Sequence, residues 1–173
     1  MITIPRPDKS EYFEYYDKYI QLVPNGSLLE QYRSVFDETK KLILSLNEEK
    51  LNFRYAEGKW SIKEVMMHLA DGERVFAYRA LRFARKDPTP LAGFDENIYV
   101  PESKAADRKI DDIMREFTAV RLASIELFSS FDDEMLKRKG SANNKEISVR
   151  ALAYSILGHE LHHVGVIKER YLK

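Results

Sequence analysis

The amino-acid sequence predicts an all-α chain: a four-helix bundle with a long crossover loop and an additional short N-terminal helix. Three observations carry this reading. Four long segments place apolar residues at alternating steps of three and four, which lines one face of a helix. The seven glycines and six prolines fall largely between those segments as turn signals. No stretch of any length shows the alternation of a strand, and there is no repeat or low-complexity tract.

Taken in order, the aromatic stretch Tyr12 to Ile20 predicts the N-terminal helix, closed by the turn Pro24-Asn25-Gly26. The first bundle helix opens at Ser27-Leu28-Leu29-Glu30, where serine and glutamate can satisfy each other's free backbone N–H groups as a capping box. Its inner stripe is Leu29, Tyr32, Phe36, Thr39, Ile43 and Leu46. A second capping box, Ser61-Ile62-Lys63-Glu64, opens a helix to about Arg85 with Ile62, Val65, Met66, Leu69, Phe76, Ala80 and Phe83 inside. Asp87-Pro88-Thr89-Pro90 stops it. Leu91 to Ala106 has no period and holds Gly93 and Pro101, so it reads as the crossover loop; loops beyond about 12 residues are often functional. The third helix is expected from about Asp107 to Ser130, facing inward with Ile110, Ile113, Phe117, Val120, Ser124, Leu127 and Phe131. A loop from Lys139 to Asn144 follows, and Ser148 caps a last helix running nearly to Lys173. Residues 1–173 are expected to form one domain.

Composition narrows the function. Lys+Arg and Asp+Glu both number 28, so the formal net charge is zero, with no basic block to attract nucleic acid or an anionic membrane. There is no cysteine, which excludes disulfides, thiolate metal sites and a cysteine nucleophile. The opening Met1-Ile2-Thr3-Ile4-Pro5-Arg6-Pro7-Asp8 is expected not to be a signal peptide, and no apolar run approaches the roughly 20 residues of a membrane span. The expected setting is cytoplasmic.

The chemistry concentrates in histidines. Three lie in His159-Glu160-Leu161-His162-His163. His159 and His163 fall within the apolar stripe of Leu152, Ile156 and Ile167, one turn apart, where Cβ atoms are about 5–6 Å from each other. A lone core histidine is more often a hydrogen-bonded packing residue than a ligand. Two side by side, both desolvated, need partners for four ring nitrogens, and one shared ion would satisfy one nitrogen of each ring. Spacing also permits a His159/His162 pair, although His162 points about 100° from His163, toward Ser155 and Glu169. His68 flanks its own stripe and is the one histidine on another helix, with Asp71 and Glu73 as neighbouring alternatives; periodicity does not choose between His68 and His162. The same five residues match H-E-x-x-H, the zinc-protease pattern with glutamate as general base. The extended pattern fails, because Val166 and Glu169 stand where glycine and histidine are required.

Two segments in particular resemble the DinB/YfiT-like superfamily of metal-binding four-helix bundles. One runs from Lys59-Trp60-Ser61-Ile62-Lys63-Glu64-Val65 into His68-Leu69-Ala70-Asp71-Gly72-Glu73. The other is Gly158 to His163 with Ile167 to Leu172; Tyr19 to Pro24 and Phe94-Asp95-Glu96-Asn97 add to the likeness. The resemblance implies His68, His159 and His163 as the three ligands of one divalent metal, with water completing the coordination. It also implies a homodimer, and it links the chain to thiol transferases that use bacillithiol, mycothiol or glutathione, and to a mycothiol-dependent isomerase.

The leading expectation is therefore a metal-dependent enzyme, a low-molecular-weight-thiol S-transferase acting on a small electrophile. Zinc or nickel is the first expectation for the ion, with iron or manganese also accommodated. Three neutral histidines leave open positions, as catalytic sites do. Glu160, Asp95, Glu96 and Asn97 are candidate catalytic or substrate groups, each with solvation or loop capping as its simpler role. The alternatives are a hydrolase using metal-activated water, a non-enzymatic module with a structural or regulatory metal, and a bundle of packed histidines without metal. Tyr12, Phe13, Tyr15 and Tyr16 either form an interface or pack the first helix on the bundle.

Overall fold

Helix α4 (Ile62–Ala84) is the axis of the structure, a computed structural model that describes residues 3–173. The opening Met1-Ile2 of the stretch expected not to be a leader lies outside the described residues. The α4 helix packs against α6 (Ile110–Ser129) and α8 (Val149–Val166), and α2 (Leu28–Leu44) closes the fourth side against those same two helices. The four-helix bundle is thus present. Its inward stripes on α2 and α4 are the predicted ones: from Leu29 to Ile43, and from Ile62 to Phe83, each named residue is buried. On α6 the stripe turns slightly, so that Phe128 is buried and Leu127 only half-buried. From Ala151 to Glu160, α8 is buried all round, as a helix enclosed by its neighbours must be.

Caps explain where these helices begin. Ser61 accepts from Glu64 N at 3.3 Å while the Glu64 carboxylate accepts from Ser61 N at 2.7 Å, completing the capping box. Ser148 caps α8 by accepting from Ala151 N at 3.1 Å. At Ser27 the expected box does not form; Gln31 ties the turn instead by donating to the Pro24 carbonyl. Two one-turn helices, α3 (Glu48–Asn52) and α7 (Asp133–Lys137), are capped by Asn47 and Asp132.

Three connections differ from expectation. The N-terminal helix is broken into 3-10 turns at Lys9–Glu11 and Glu14–Tyr16 followed by α1 (Asp17–Ile20). The crossover from 91 to 106 holds α5 (Glu96–Glu102) and a 3-10 turn at Ala105–Asp107, which moves the start of α6 to Ile110. With Val100 as its one buried residue, α5 leaves no stripe to read. The expected loop before α8 is a β-hairpin, β1 (Lys139–Ala142) against β2 (Lys145–Ser148), pairing Lys139 with Ser148 and Ala142 with Lys145. Asn143 and Asn144 have φ of 51° and 58°, the left-handed pair that a two-residue hairpin turn needs. Leu91 bridges to Ala142 and fastens the crossover to the hairpin. At its far end, α8 continues as one π-helical turn, Ile167–Tyr171.

The core has two apolar clusters. One gathers Ile20, Leu28, Phe83, Phe131 and Leu152; the other gathers Ile43, Met66, Ile113, Phe117 and Ile167. Arg121 sits at their junction, its guanidinium over Tyr32 of the first cluster and Phe36 of the second. Among the described residues, no helix is long and apolar enough to cross a membrane.

Candidate metal centre

His68 projects from α4 two turns after the Ser61 cap, and His159 and His163 project from α8 one turn apart. The packing of α4 on α8 brings the three together. One ring nitrogen from each can be chosen so that all three lie within 4.8 Å of one another, the sole group of this kind among the described residues. His68 Nε2 and His159 Nε2 are 2.9 Å apart. Two nitrogens bound to a common ion at about 2.1 Å, at angles near 90–109°, are separated by roughly 3.0–3.4 Å. The His68–His159 pair stands close to that spacing and His163 within 4.8 Å of both, a donor set of the kind that holds one divalent cation. The rings stand nearly perpendicular to one another, with centroids 4.6 to 4.9 Å apart.

Neighbouring residues fix these rings. Trp60 stacks beside His68 at 4.8 Å, and Tyr19 meets His159 edge-on at 5.3 Å. Gly72, one turn beyond His68, leaves room for the His159 ring: a Cβ there would lie 3.2 Å from its Cε1. Gly158 does the same for the backbone, since a Cβ on it would overlap the Tyr19 carbonyl. Burial keeps the imidazoles neutral. It lowers His68 to about 4, and burial with the nearby cationic forms of His68, His162 and Lys18 lowers His163 to about 3. His159 is driven well below its ordinary value, by burial first and then by the charges of its histidine neighbours. Three neutral nitrogen donors on two helices are what a metal ligand set requires.

The histidines form part of the wall of a cavity of about 490 Å³. Its other walls come from the N-terminal segment, α4, the crossover and the hairpin turn: Tyr15, Tyr16, Phe76, Arg79, Phe94 and Asn143 among them. A wider hollow of about 700 Å³ between Thr3 and α7 has no histidine on its wall, and its Arg150 is already paired with Glu11. The chemistry belongs to the first cavity.

The remaining candidates separate. Glu96 lines the histidine cavity. Asn97 lines a smaller hollow of about 300 Å³ that shares His162 and His163 with the larger cavity, and Asp95 caps α5 by accepting from Asn97 N. Glu160 is turned away from the cavity into the bundle, where Arg121 Nη2 lies 2.8 Å from its Oε2; burial raises its pKa. The general base of the H-E-x-x-H reading is therefore committed to an ion pair. Asp71 pairs with Arg74 and Glu73 with Arg121, so neither alternative to His68 joins the cluster. His162 is half-buried on the cavity wall, edge-on to Tyr19 and to His163. Tyr12 is buried, whereas Phe13, Tyr15 and Tyr16 furnish the cavity. Sequence reasoning passed over Lys18, Arg79 and Lys145 on that wall and Arg121 in the core. Arg121 left a signal, an arginine one turn after Phe117 and three residues before Ser124, inside an apolar stripe.

Comparisons with known proteins bear on the family and on the fold. The sequence model of the DinB superfamily matches residues 31–167. A proposed metal-dependent hydrolase from Oceanobacillus iheyensis is 28% identical over 149 residues, covering 81% of this chain and 79% of its own. YfiT from Bacillus subtilis, described as a four-helix bundle of unusual topology and proposed to be a metal-dependent hydrolase, superimposes with a TM-score of 0.72. That match has 19% identity and covers 95% of this chain and 90% of the other.

Proposed function

The chain belongs to the DinB superfamily, and on that premise we propose that it is a metal-dependent enzyme, a low-molecular-weight-thiol S-transferase in which His68, His159 and His163 hold one divalent ion. The observation that carries the reading is three neutral imidazoles, converging within 4.8 Å, in the wall of a cavity large enough for a small molecule. Such an ion, zinc or nickel first, supplies a positive charge with open positions, able to lower the pKa of a thiol or water. The protein does the rest. Tyr19, Trp60 and Phe76 hold the imidazoles in place and shield them from bulk water, so little reorganisation is needed when a ligand arrives. His162 and Glu96 line the cavity outside the three-histidine cluster, which supports them as acceptors of a substrate proton. The absence of cysteine suits a reaction whose sulfur arrives with the substrate. In the transfer, the thiol sulfur bonds to the electrophilic carbon, the leaving group departs with its electron pair, and the thiol proton passes to a cavity base. We further propose that the protein works in the cytoplasm as a homodimer.

A hydrolase is the second reading, favoured by the activity proposed for both relatives. The test is bound metal measured by mass spectrometry on untagged protein beside His163→Ala, followed by assay of the loaded form. About one equivalent per chain, lost in the variant, supports the centre. No uptake after incubation with zinc, nickel and manganese would overturn it. Consumption of glutathione with a chlorodinitrobenzene only when metal is bound supports transfer. Ester cleavage without thiol selects the hydrolase, and a raised melting temperature without any turnover selects a structural site.

A further inference from the structure

Three cations are almost wholly buried: Lys63, Arg79 and Arg121, at 4%, 3% and 1% exposure. Two are neutralised within the fold. Lys63 Nζ lies 2.7 Å from Glu48, and Arg121 lies 2.7 and 2.8 Å from Glu73 and Glu160. Arg79 has no carboxylate partner among the described residues. Its Nη2 donates to the Ala92 carbonyl at 2.9 Å, and Tyr16 is the polar side chain beside it. The guanidinium otherwise lies near the rings of Phe76 and Phe94, 6.0 and 5.9 Å from their centroids. An arginine offers five N–H donors, and a buried charge is costly unless it is paired. Burial accordingly disfavours the charged form of Arg79.

That arginine is in the wall of the histidine cavity. The Phe76 ring adjoins both chemistries, its centroid 6.1 Å from that of the His159 ring and 6.0 Å from Arg79 Cζ. The rest of the wall has the same sign. Lys18 rests over the rings of Tyr15 and Tyr19 and Lys145 over Phe13, against the single acid Glu96. A chain of zero net charge has thus gathered an excess of cations around one cavity, where the low-dielectric wall focuses their field.

We propose that Arg79 is an anion-recognition residue of this cavity, and that the substrate carries a carboxylate held beside Phe76 while another of its atoms reacts at the histidines. A guanidinium fork matches a carboxylate through two parallel hydrogen bonds. Glu96 on the same wall disfavours a second negative charge, which selects a carboxylate over a phosphate. The aromatic lining suits a flat or apolar body between the two ends. The assignment rests on the metal-centre reading for the reacting end, while the Arg79 end stands on its own geometry.

The test uses protein stripped of metal by chelation, so that a carboxylate cannot simply ligate the ion. Benzoate, benzamide and phenyl phosphate are each titrated calorimetrically into wild type, Arg79→Gln and Arg79→Lys. Benzoate should bind wild type about tenfold or more tighter than benzamide, and Arg79→Gln should lose about that factor while Arg79→Lys retains part of it. Equal binding of benzoate and benzamide, or benzoate binding indifferent to Arg79, overturns the proposal; so does the absence of saturable benzoate binding into the millimolar range. Phenyl phosphate binding tighter than benzoate overturns the choice of carboxylate. The wild-type comparison needs no variant, so equal binding of benzoate and benzamide overturns the proposal even where Arg79→Gln fails to fold, and Arg79→Lys then carries the assignment to Arg79. Loss of metal uptake with benzoate discrimination intact would sink the metal-centre reading alone. Normal metal uptake with no discrimination would sink this inference alone.

Discussion

At Arg121, a guanidinium 1% exposed is shared between Glu73 on α4 and Glu160 on α8, and it also donates to the Tyr32 carbonyl on α2. One side chain therefore ties α6 to the other three bundle helices. The desolvation cost of such a group is large, and the pair is no proof of extra stability. Its removal is a different matter, because two carboxylates would be left buried without a cation. Arg121→Ala should lower the unfolding free energy by about 3–5 kcal/mol, read from urea denaturation. Replacing all three charges together, as Arg121→Met with Glu73→Leu and Glu160→Met, should recover most of that loss. A single variant costing under about 1 kcal/mol would show that water reaches the site and that the ion pair does not organise the core.

Helix α8 carries two glycines with opposite roles. At Gly158 a Cβ would sit 2.1 Å from the Tyr19 carbonyl oxygen, so the backbone of α1 rests directly on the helix. At Gly165 nothing lies within 4 Å of the same atom. Alanine is favoured over glycine in a helix by about 1 kcal/mol. Gly165→Ala should therefore raise stability by about 0.5–1 kcal/mol. Gly158→Ala should lower it by about 1–3 kcal/mol through overpacking, and free the segment that brings Phe13, Tyr15 and Tyr16 to the cavity. Limited proteolysis near Tyr19 together with thermal melting checks both; two changes of equal sign would refute the close approach. The long helices were legible because an amphipathic stripe repeats over five or six turns, as from Ile62 to Phe83. The hairpin was not, since strands of four residues give too little alternation, although Asn143-Asn144 held the turn signal. Pairing His159 with His163 was readable from one helix. Placing His68 with them required knowing which faces of α4 and α8 meet, which the resemblance supplied and helical spacing alone did not. Arg79 was hidden for a similar reason: an arginine beside an apolar stripe looks solvated until the crossover and the N-terminal segment cover it.

Over the whole molecule, the histidine cluster couples folding to acidity because it joins α4 to α8 at a buried point. His68 falls from an ordinary 6.5 to about 4 and His163 to about 3, and burial also drives His159 well below its ordinary value, so the unfolded chain binds protons that the folded chain refuses. The stability these groups leave intact is complete above the unfolded value near 6.5. It is lost as pH falls through the window between that value and about 4 to 3. Each histidine contributes a slope of at most about 1.4 kcal/mol per pH unit. Glu160 and Asp71 oppose this trend, since burial raises their pKa values and favours the folded state on acidification, but His162 is lowered as well, so these two stand against four histidines. Metal-free protein should accordingly hold a constant urea midpoint from pH 8 to about 7 and lose it progressively from pH 6.5 to 4. His163→Ala should give a shallower fall. Zinc added at about 100 times its dissociation constant should raise unfolding free energy by about 2.7 kcal/mol at pH 7, and that increment should vanish steeply in acid as protons compete for the same nitrogens. A midpoint that rises on acidification would mean the folded state stabilises charged imidazoles, and a neutral cluster built to receive a cation would then be the wrong description of this bundle.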